Sequence, residues 1–395
     1  MALIKLNSRA IPDSTVVNTD IADGSVTQAK IADGSVSSAK FADGSVSSAK
    51  IADDAVTGSK LGVETGRRNV FINGNFRIAQ RGTSVTYTGG IWQYLSPDRW
   101  FGHFDQTPTG ATHHVFDGGP TASGANNKFA EVRGPTSANS GNGAGYFGQR
   151  VESSSLAGIR AKNSFTISGY IKRSGSVNQA ISTNIICPTA TDNFAGYTTH
   201  GAAFTSATIS GDGTAANNGT LTLTSVDTWY YFTVTRTSAT SLTNFDKGLQ
   251  IYWAFGNCHN TADKIQFAQL QLEEGTEATT FEHSTYAAEL HLCKRYYQQS
   301  TSIANATSSP MWFYSYNASE AWGGNRFPVE MRTNPTCVLY NNAGTAGGVH
   351  QIGSPDITGV TVNSSSKQGI FLAYKASGFT TDKSHIAGWT ADSEL

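Results

Sequence analysis

The chain has 395 residues, with 28 Lys and Arg against 29 Asp and Glu, so its formal net charge is −1. That length favours two or three domains, and the near-neutral balance gives no field that would attract nucleic acid or an anionic membrane. Charged residues make up only 14% and aromatic residues 11%, and there are 41 glycines. This composition predicts β structure with many turns and excludes a disordered chain. We also expect no membrane insertion, because no apolar run reaches 18 residues.

A ten-residue repeat occupies the N-terminal region. Four close copies lie at Ile21–Lys30 (IADGSVTQAK), Ile31–Lys40 (IADGSVSSAK), Phe41–Lys50 (FADGSVSSAK) and Ile51–Lys60 (IADDAVTGSK), and a degenerate copy lies at Ile11–Asp20. Each close copy has a large apolar residue at position one and a valine at position six. Asp-Gly at positions three and four predicts a turn within the repeat, because glycine accepts a positive φ without strain.

One copy of the repeat buries too little apolar surface to fold by itself. Full burial of an isoleucine and a valine contributes roughly 1.5–3 kcal/mol each, whereas ordering the backbone costs about 1–2 kcal/mol for each of the ten residues. Three chains that share one axis would give every copy a core, so the repeats predict a homotrimeric shaft over residues 11–65. A flexible linker is the alternative. The predicted trimer core consists of Ile21, Val26, Ile31, Val36, Phe41, Val46, Ile51 and Val56.

Residues 66–284 contain short segments in which apolar and polar residues alternate, a pattern that predicts strands. The clearest segments are Phe147–Val151, Phe165–Ile171, Leu221–Leu223, Tyr230–Val234 and Leu249–Phe255. In Lys264–Leu272 the apolar parity changes between Phe267 and Leu270, which predicts a β-bulge. Segments rich in Gly, Asn, Ser and Thr separate the strands, so this region is expected to form a jelly-roll β-sandwich.

Several segments resemble the tail fibres of tailed bacteriophages. NVFINGNFRIAQRGTS at Asn69–Ser84 and FAQLQLEEGTEATTF at Phe267–Phe281 are similar to the opening and closing segments of carbohydrate-binding-module-like jelly rolls in those fibres. YAAELHLCKRYY at Tyr286–Tyr297 and FPVEMRTNPT at Phe327–Thr336 resemble the junction and tip, and the decapeptides resemble the shaft repeats. The resemblance covers most of the chain, and the order of shaft, jelly roll and tip strengthens it.

This resemblance implies a receptor-binding protein of a phage tail, assembled in the bacterial cytoplasm and carried on the virion. Residues 1–20 would dock on a tail or baseplate protein, and residues 66–284 and 285–395 would form the jelly roll and a smaller β-sandwich tip. One of these two domains would bind a host cell-surface glycan without cleaving it. The expected fold class is all-β. A tailspike-like polysaccharide depolymerase and a purely structural connector are the alternative functions.

Aromatic residues at two places are candidate glycan-binding residues, because sugar C–H faces stack on rings while hydroxyls bond to polar side chains. For Trp92 and Tyr94, an exposed position that stacks on a sugar and a buried position in the hydrophobic core are equally compatible with the sequence. The nearby Trp100 is expected in the core. Trp322 lies in the sequence Ala-Trp-Gly-Gly-Asn and is expected to be exposed in a distal loop, with Arg326 close behind it.

Two patterns describe the C-terminal region. Alternation in Met311–Tyr316 predicts a strand with Trp312, Tyr314 and Tyr316 on one face and the core on the other. A helical pattern in Thr285–Tyr297 places Tyr286, Leu290, Cys293 and Tyr297 on one stripe, with Glu289 and Lys294 outside it. Further strands are expected at Thr336–Tyr340, Gly359–Asn363 and Gly369–Lys375.

We expect no enzyme activity, no metal and no cofactor. Glu273 and Glu274 would face opposite sides of a strand and therefore cannot flank one glycosidic bond. His113 and His114 lack the spacing of metal ligands and are expected in a solvated loop. GAGYFG at Gly143–Gly148 precedes a strand-like segment, which contradicts a dinucleotide-binding motif. The four cysteines are widely spaced and are expected to be free thiols.

Overall fold

The computed structural model describes residues 17–31, 35, 67–87, 92–104, 109–120, 128–136, 144–300, 303, 311–375 and 378–394. The chain divides into two units, Met1–Thr65 and Gly66–Leu395. Antiparallel strands dominate the described residues, so the all-β fold class is confirmed. Among these residues, no helix combines the length and the apolar character that crossing a membrane requires.

The described part of the first unit repeats its conformation every ten residues. Short 3-10 helices occupy Asn18–Asp20 and Gln28–Lys30. Between them Gly24 has a φ of 74°, and the Ser25 N–H donates to the Ala22 carbonyl at 3.0 Å, which confirms the predicted Asp-Gly turn. The trimer itself stays a prediction. Five of its predicted core residues lie outside the described residues: Val36, Phe41, Val46, Ile51 and Val56.

The jelly roll consists of two antiparallel sheets. Seven strands form one sheet in the order β1-β4-β5-β15-β7-β13-β10, and eight form the other in the order β11-β12-β8-β14-β6-β3-β2, with β9 on β8. The strands are β1 (Ser84–Thr86), β2 (Gln93–Tyr94), β3 (Trp100–Phe104), β4 (Thr112–Asp117), β5 (Lys128–Arg133), β6 (Gly145–Val151), β7 (Ser164–Ser174), β8 (Ala180–Ala190), β9 (Asn193–Gly201), β10 (Ser206–Ile209), β11 (Thr214–Ala215), β12 (Thr220–Thr222), β13 (Tyr230–Thr237), β14 (Leu249–Phe255) and β15 (Lys264–Glu274).

The inner faces of the two sheets bury a continuous aromatic and aliphatic core. Trp100 is fully buried there, as predicted, and its ring stacks on Phe147 at a centroid distance of 5.1 Å. Phe147 in turn stacks on Phe267 at 4.9 Å, and Trp253 lies 5.0 Å from Phe267. These rings come from both sheets, so the stacking joins the sheets through large, well-packed side chains.

The predicted bulge in β15 is present. The register of β15 against β7 shifts between Ala268 and Gln271, and Gln269 adopts a φ of 51°. Leu270 at the bulge donates its N–H to the Gly74 carbonyl at 2.9 Å and accepts from Asn69 Nδ2 at 3.0 Å. A β-bulge leaves backbone groups without a ladder partner, and here the segment that precedes β1 satisfies them.

The expectation that His113 lies in a solvated loop is wrong. His113 is on β4, its side chain is almost fully buried, and its Nε2 lies 2.5 Å from the Tyr87 hydroxyl. Burial lowers the pKa of His113 to about 3, so the ring is neutral. Its neighbour His114 points to the other face of the same strand and is only half-buried. The alternation of β4 therefore places a polar ring at an inward position.

Two short helices flank the jelly roll, α1 (Ala157–Lys162) and α2 (Tyr286–Lys294). The Thr285 side chain caps α2 by accepting from the Ala288 N–H. The predicted stripe of α2 is partly wrong, because Tyr286 is half exposed whereas Glu289 is buried beside Cys293. Glu289 is buried because its carboxylate accepts hydrogen bonds at the helix start, 2.6 Å from the Asn73 N–H and 2.7 Å from the Ser284 hydroxyl.

The C-terminal domain is a nine-stranded antiparallel sheet around a second core. Its longest strand, β24, pairs with β17 and β20 in its first half and with β19 and β16 in its second half. The strands are β16 (Tyr297–Gln299), β17 (Met311–Ser315), β18 (Glu320–Arg326), β19 (Thr336–Tyr340), β20 (Gly348–Gln351), β21 (Ile357–Thr358), β22 (Thr361–Ser366), β23 (Gly369–Tyr374) and β24 (Ser384–Asp392).

The placement of Trp322 in a loop is also wrong, since it lies on β18. The two following residues, Gly323 and Gly324, have φ values of 143° and 108° and form a bulge in this strand. A Cβ at Gly323 would meet the Trp312 carbonyl, and one at Gly324 would meet the Ile370 carbonyl. The glycines therefore break the sequence pattern of a strand while allowing the backbones of three strands to approach closely.

Candidate functional site

The four candidate glycan-binding residues lie on two different sheets. Trp92 and Tyr94 are on the edge of the eight-stranded sheet of the jelly roll, and Trp322 and Arg326 are on β18 of the C-terminal sheet. The structure therefore presents two separate aromatic surfaces.

The first surface is the outer face of the eight-stranded sheet. The Trp92 ring stacks on His103 at a centroid distance of 4.9 Å and contacts the edge of Phe101 at 5.1 Å. It also contacts Tyr146 at 5.5 Å and Tyr252 at 5.8 Å. We call these five residues, together with Tyr94, the Trp92 cluster. Because Phe147 and Trp253 alternate with Tyr146 and Tyr252, the cluster lies on the face opposite the sandwich core.

Trp92 and Tyr94 are half-buried within this cluster. Desolvation raises the pKa of Tyr94 to about 12, so its hydroxyl stays protonated at neutral pH. The Arg150 guanidinium lies 5.9 Å from the Tyr94 ring and 5.3 Å from the Phe101 ring. The rings of this cluster thus pack mainly on one another and on a cation, and they expose limited area to a ligand.

A cavity of about 400 Å³ continues from the Trp92 cluster along the same face. Tyr146 belongs to both the cluster and the cavity wall. Asn178, Asn257 and Ser182 add amide and hydroxyl groups to the lining, and Asn257 donates to Asn178. This part of the face combines the rings of Tyr146 and Phe255 with several neutral hydrogen-bonding groups.

The second surface lies on β17 and β18 of the C-terminal sheet. Met311, Phe313 and Ser315 point into the core, as the alternation predicted. The opposite face carries exposed aromatic side chains, with exposed fractions of 49–72%. We call this surface the tip aromatic face, and its members are Trp312, Tyr314, Tyr316 and Trp322.

Cross-strand register holds the tip aromatic face together. Tyr314 pairs directly with Trp322, and Trp322 pairs with Leu372 on the next strand. Leu372 and Ile386, which pairs with Trp312, are buried although they lie on this outer face. The exposed rings therefore stand on an apolar floor, which makes them a fixed platform.

A cleft of about 420 Å³ opens between the rings of the tip aromatic face. It is lined by Tyr314, Tyr316, Trp322 and the carboxylate-bearing Glu320. The Trp322 Nε1–H donates to Glu320 at 3.4 Å, and the Tyr314 hydroxyl donates to Asp382 at 3.0 Å. The hydrogen bond to Asp382 raises the pKa of the Tyr314 hydroxyl. The cleft thus has aromatic walls and hydrogen-bond acceptors at its rim.

Arg326 does not line this cleft. It is exposed beyond the bulge of β18, where it pairs with Gly369, and it makes no ion pair with any residue that the structure describes. The structure therefore brings Trp322 together with Tyr314 and Tyr316, and it leaves Arg326 on a neighbouring part of the surface.

Glu273 and Glu274 on β15 are not arranged as a catalytic pair. Glu273 is buried and Glu274 is exposed, so the two do face opposite sides of β15. Both oxygens of Glu273 accept from Thr279, at 2.9 Å from its N–H and 2.7 Å from its hydroxyl. Among the described residues no group of three His, Cys, Asp or Glu side chains is placed to hold a metal ion. All four cysteines are free, as expected.

Sequence reasoning missed four members of the Trp92 cluster, namely Phe101, His103, Tyr146 and Tyr252. Tyr146 and Tyr252 occupy the outward positions of strands whose inward residues were identified from alternation. The same two-residue alternation predicts that these tyrosines point outward, so it could have identified them as candidates. No local signal indicates that β6 lies beside β3 or that β14 lies beside β6, because these pairings depend on the sheet order.

No family model and no curated protein matches this sequence. Solved structures that match part of the chain include the carbohydrate-binding module TmCBM61 in complex with β-1,4-galactotriose, with 11% identity, 53% of this chain, 100% of that chain and a TM-score of 0.29. A Stig cyclase from Fischerella sp. TAU matches with 15% identity, 53% and 99% coverage and a TM-score of 0.32. The enzymatically active domain of bacteriophage CBA120 tailspike protein 4 matches with 9% identity, 52% and 21% coverage and a TM-score of 0.29. Likeness at this level is too low to assign a ligand or an activity to this chain.

Proposed function

We propose that this chain is a non-catalytic attachment protein that binds a cell-surface glycan through the tip aromatic face. The observation that carries the proposal is the set of exposed rings that surround one cleft on a single sheet face. A single exposed aromatic residue is common, but four aromatic side chains on one sheet face form a contiguous apolar patch, which is typical of an interaction site.

The chemistry of the cleft fits a neutral polysaccharide. Aromatic rings stack on the C–H faces of pyranose rings, and the carboxylates of Glu320 and Asp382 accept hydrogen bonds from sugar hydroxyls. No lysine or arginine lines the described cleft, and these two carboxylates would repel an anionic polysaccharide.

The wider role that we propose is that of a phage tail fibre on the virion. The support is the sequence resemblance of the decapeptides, the jelly roll and the tip, in that order. Residues 1–20 would dock on a tail or baseplate protein, and the C-terminal domain would point toward the host cell. The host glycan and a second and third copy of this chain are then its partners, and no nucleic acid is involved.

Association of three chains is supported by the repeat. Ile21, Val26 and Ile31 are 44–56% exposed in the single chain, although each is a large apolar residue. Their ten-residue recurrence would form an apolar row that identical chains can cover. Three linked copies of a weak glycan site would raise the overall affinity by roughly 10²–10⁴ without any new contact.

Binding of the full-length protein to host cells and to purified host polysaccharide tests the proposal. Trp322→Ala and Tyr314→Ala should each weaken binding roughly two- to tenfold, the equivalent of about 0.5–1.5 kcal/mol for one lost ring contact. Tyr286→Ala is the matched control, because Tyr286 is equally exposed but lies on α2. This control should bind like the parent.

Three results would overturn the proposal. Unchanged binding in the Trp322→Ala/Tyr314→Ala double variant would remove the tip aromatic face as the site. Shorter polysaccharide products after incubation would indicate a depolymerase. Normal assembly without any binding of cells or polysaccharide by the parent protein would indicate a structural connector.

A further inference from the structure

The outer face of the seven-stranded sheet holds a cavity of about 500 Å³. It lies on the other sheet of the sandwich from the Trp92 cluster and in a different domain from the tip aromatic face. Its floor is formed by β7, β13 and β15, and its wall by the segment after β15. Its lining includes Ser168, Tyr170, Tyr231, Gln269, Ala278 and Phe281.

The wall of this cavity is fixed by buried polar side chains. Residues 276–283, which we call the strap, cross the outer face of the sheet. Glu273 accepts both the N–H and the hydroxyl of Thr279, and Gln271 accepts the Glu282 N–H at 2.8 Å. Gln271 and Glu273 are buried, so these bonds are shielded from water and hold the strap at a set distance from the sheet.

Two tyrosines form the aromatic part of the floor. Tyr170 and Tyr231 are cross-strand partners, and their ring centroids lie 5.2 Å apart with an interplanar angle of 61°. Both rings are half-buried. Burial raises the pKa of Tyr231, so its hydroxyl keeps its proton and can donate. On the strap side, Phe281 and His283 form a second ring pair at 5.1 Å.

The β-bulge supplies the remaining polar group. Gln269 is the bulge residue with a φ of 51°, and its side chain lines the cavity beside Ser168. In a regular strand, the side chain at this position would point to the face that the two-residue alternation sets. The extra residue of the bulge interrupts that alternation and gives the Gln269 side chain a different direction. Hydroxyl and amide groups therefore face aromatic rings across a preformed space.

We infer that this cavity is a second saccharide site that takes one neutral sugar residue. Its volume falls within the roughly 300–1,000 Å³ of ligand sites, and it pairs rings with neutral hydrogen-bonding groups. Among the described residues its lining includes His283 but no carboxylate, lysine or arginine, so it offers no permanent counter-charge for an anionic or a cationic ligand. The rings supply stacking for the C–H face of a pyranose, and Ser168, Tyr231 and Gln269 present hydroxyl and amide groups to its hydroxyls. The Thr279 hydroxyl is committed to the strap, because it donates to Glu273.

This site is independent of the proposed attachment function. A glycan bound at the tip aromatic face contacts β17 and β18, whereas a sugar in this cavity contacts β7, β13 and the strap. Two sites on one chain would allow a branched or repeating polysaccharide to be held at two points, which raises avidity if the chain of sugars can span them.

The test uses the full-length Trp322→Ala/Tyr314→Ala variant, in which the tip aromatic face lacks two of its four rings. Glucose, galactose and N-acetylglucosamine are titrated at millimolar concentrations, and saturation-transfer NMR and line broadening report binding. At least one of these sugars should bind, and Tyr231→Ala added to this background should weaken its binding about tenfold or more. Tyr197→Ala, which removes a more exposed tyrosine on the eight-stranded sheet, should leave binding unchanged.

A second variant guards against loss of fold. Ala278→Phe fills the cavity from the strap without removing any core side chain, and it should abolish sugar binding while the thermal unfolding midpoint stays close to that of its background. The inference is overturned if none of the three sugars binds. It is also overturned if binding persists unchanged in both Tyr231→Ala and Ala278→Phe.

Discussion

The buried guanidinium of Arg99, which precedes β3 in the jelly roll, pairs with the carboxylate of Glu394 at the far end of the chain. The two side chains are 1% and 5% exposed. The same guanidinium lies 3.5 Å from the centroid of the Tyr296 ring. Beside it, Arg81 reaches Asp392 at 3.0 Å. The end of β24 and the residues after it therefore contact the jelly roll through two ion pairs, of which Arg99–Glu394 is removed from water and Arg81–Asp392 is partly exposed.

Removing one partner of this pair should destabilise the protein strongly. In Glu394→Ala the Arg99 charge stays buried without its counter-charge, and we expect a loss of about 3–5 kcal/mol in the free energy of unfolding. Chemical denaturation of the variant and the parent measures this difference. Asp117→Ala is the control, since Asp117 pairs with Lys128 at 2.8 Å but is 74% exposed, and such exposed pairs contribute at most about 1 kcal/mol.

If Glu394→Ala unfolded at the same denaturant concentration as Asp117→Ala, the Arg99–Glu394 pair would not stabilise the contact between the C-terminal sheet and the jelly roll. A double variant, Arg99→Met/Glu394→Leu, separates charge from packing. It should recover most of the stability that Glu394→Ala loses, because an apolar pair of similar volume needs no desolvation of ions.

Acidification should destabilise the jelly roll through His113. Its pKa is about 3 in the folded protein against about 6.5 for an unburied histidine, so the unfolded chain takes up a proton that the folded chain refuses. Stability is fully present above pH 6.5 and is lost as the pH falls from 6.5 toward 3, at up to about 1.4 kcal/mol per pH unit.

His113→Gln should flatten this dependence while keeping a hydrogen-bonding group near the Tyr87 hydroxyl. Unfolding free energies measured at several pH values between 7 and about 4 give the slope for each protein. The pKa values of His114 and His385 are also lowered by burial and act in the same direction, whereas the raised pKa values of the buried Asp98 and Glu394 act in the opposite direction. The contribution of His113 is therefore the difference in slope between the parent and His113→Gln. An unchanged slope in His113→Gln would show that His113 is protonated in the folded state.

Gly74→Ala should disrupt the hydrogen bond between the Leu270 N–H in the β15 bulge and the carbonyl of residue 74. A Cβ at Gly74 would meet the Leu270 carbonyl, which is backbone and cannot rotate away, so the segment before β1 must shift. Gly353→Ala is the control, because its Cβ would meet no atom within 4 Å and only its φ of 78° is strained. That strain costs about 1–2 kcal/mol. Thermal unfolding should show a larger loss for Gly74→Ala than for Gly353→Ala, and equal losses would contradict the close approach.

Serine substitutions at positions one and six of the decapeptide, which hold Ile21, Ile31 and Val26, should weaken trimerisation. Each of Ile21, Val26 and Ile31 would contribute roughly 1.5–3 kcal/mol if fully buried between chains. In the triple variant to serine, native mass spectrometry should show fewer species of three chains than in the parent. Thr27→Ser/Ala29→Ser, which changes neither row, should match the parent. A parent protein that is monomeric at all concentrations would refute the trimeric shaft.

Local periodicity was sufficient for much of the fold. Alternation predicted β6, β7, β13, β14 and β17, and the change of parity in Lys264–Leu272 predicted the bulge. It also predicted that Trp312 and Tyr314 share a face opposite the core. These features depend on the two-residue period of a strand beside one core, which each segment carries in its own residues.

β24 and the position of His113 were not predictable in this way. β24 is buried along almost its whole length on both faces and is rich in alanine, so it shows no alternation. A strand buried on both faces has no polar side to mark its period. His113 occupies an inward position that a hydrophobic pattern assigns to apolar residues, and only its contact with Tyr87 explains its burial.

The sequence by itself determined the all-β class, the ten-residue period with its turn, and the parity of the main strands, because these follow from residue types within a few positions of one another. Tertiary structure decided which aromatic residues are available to a ligand. Trp92 and Tyr94 are half-covered by rings from β3, β6 and β14, whereas Trp322 stands exposed beside Tyr314. It also decided that Arg99 meets Glu394, since contacts between residues 295 positions apart depend on how whole sheets pack and leave no trace in local sequence.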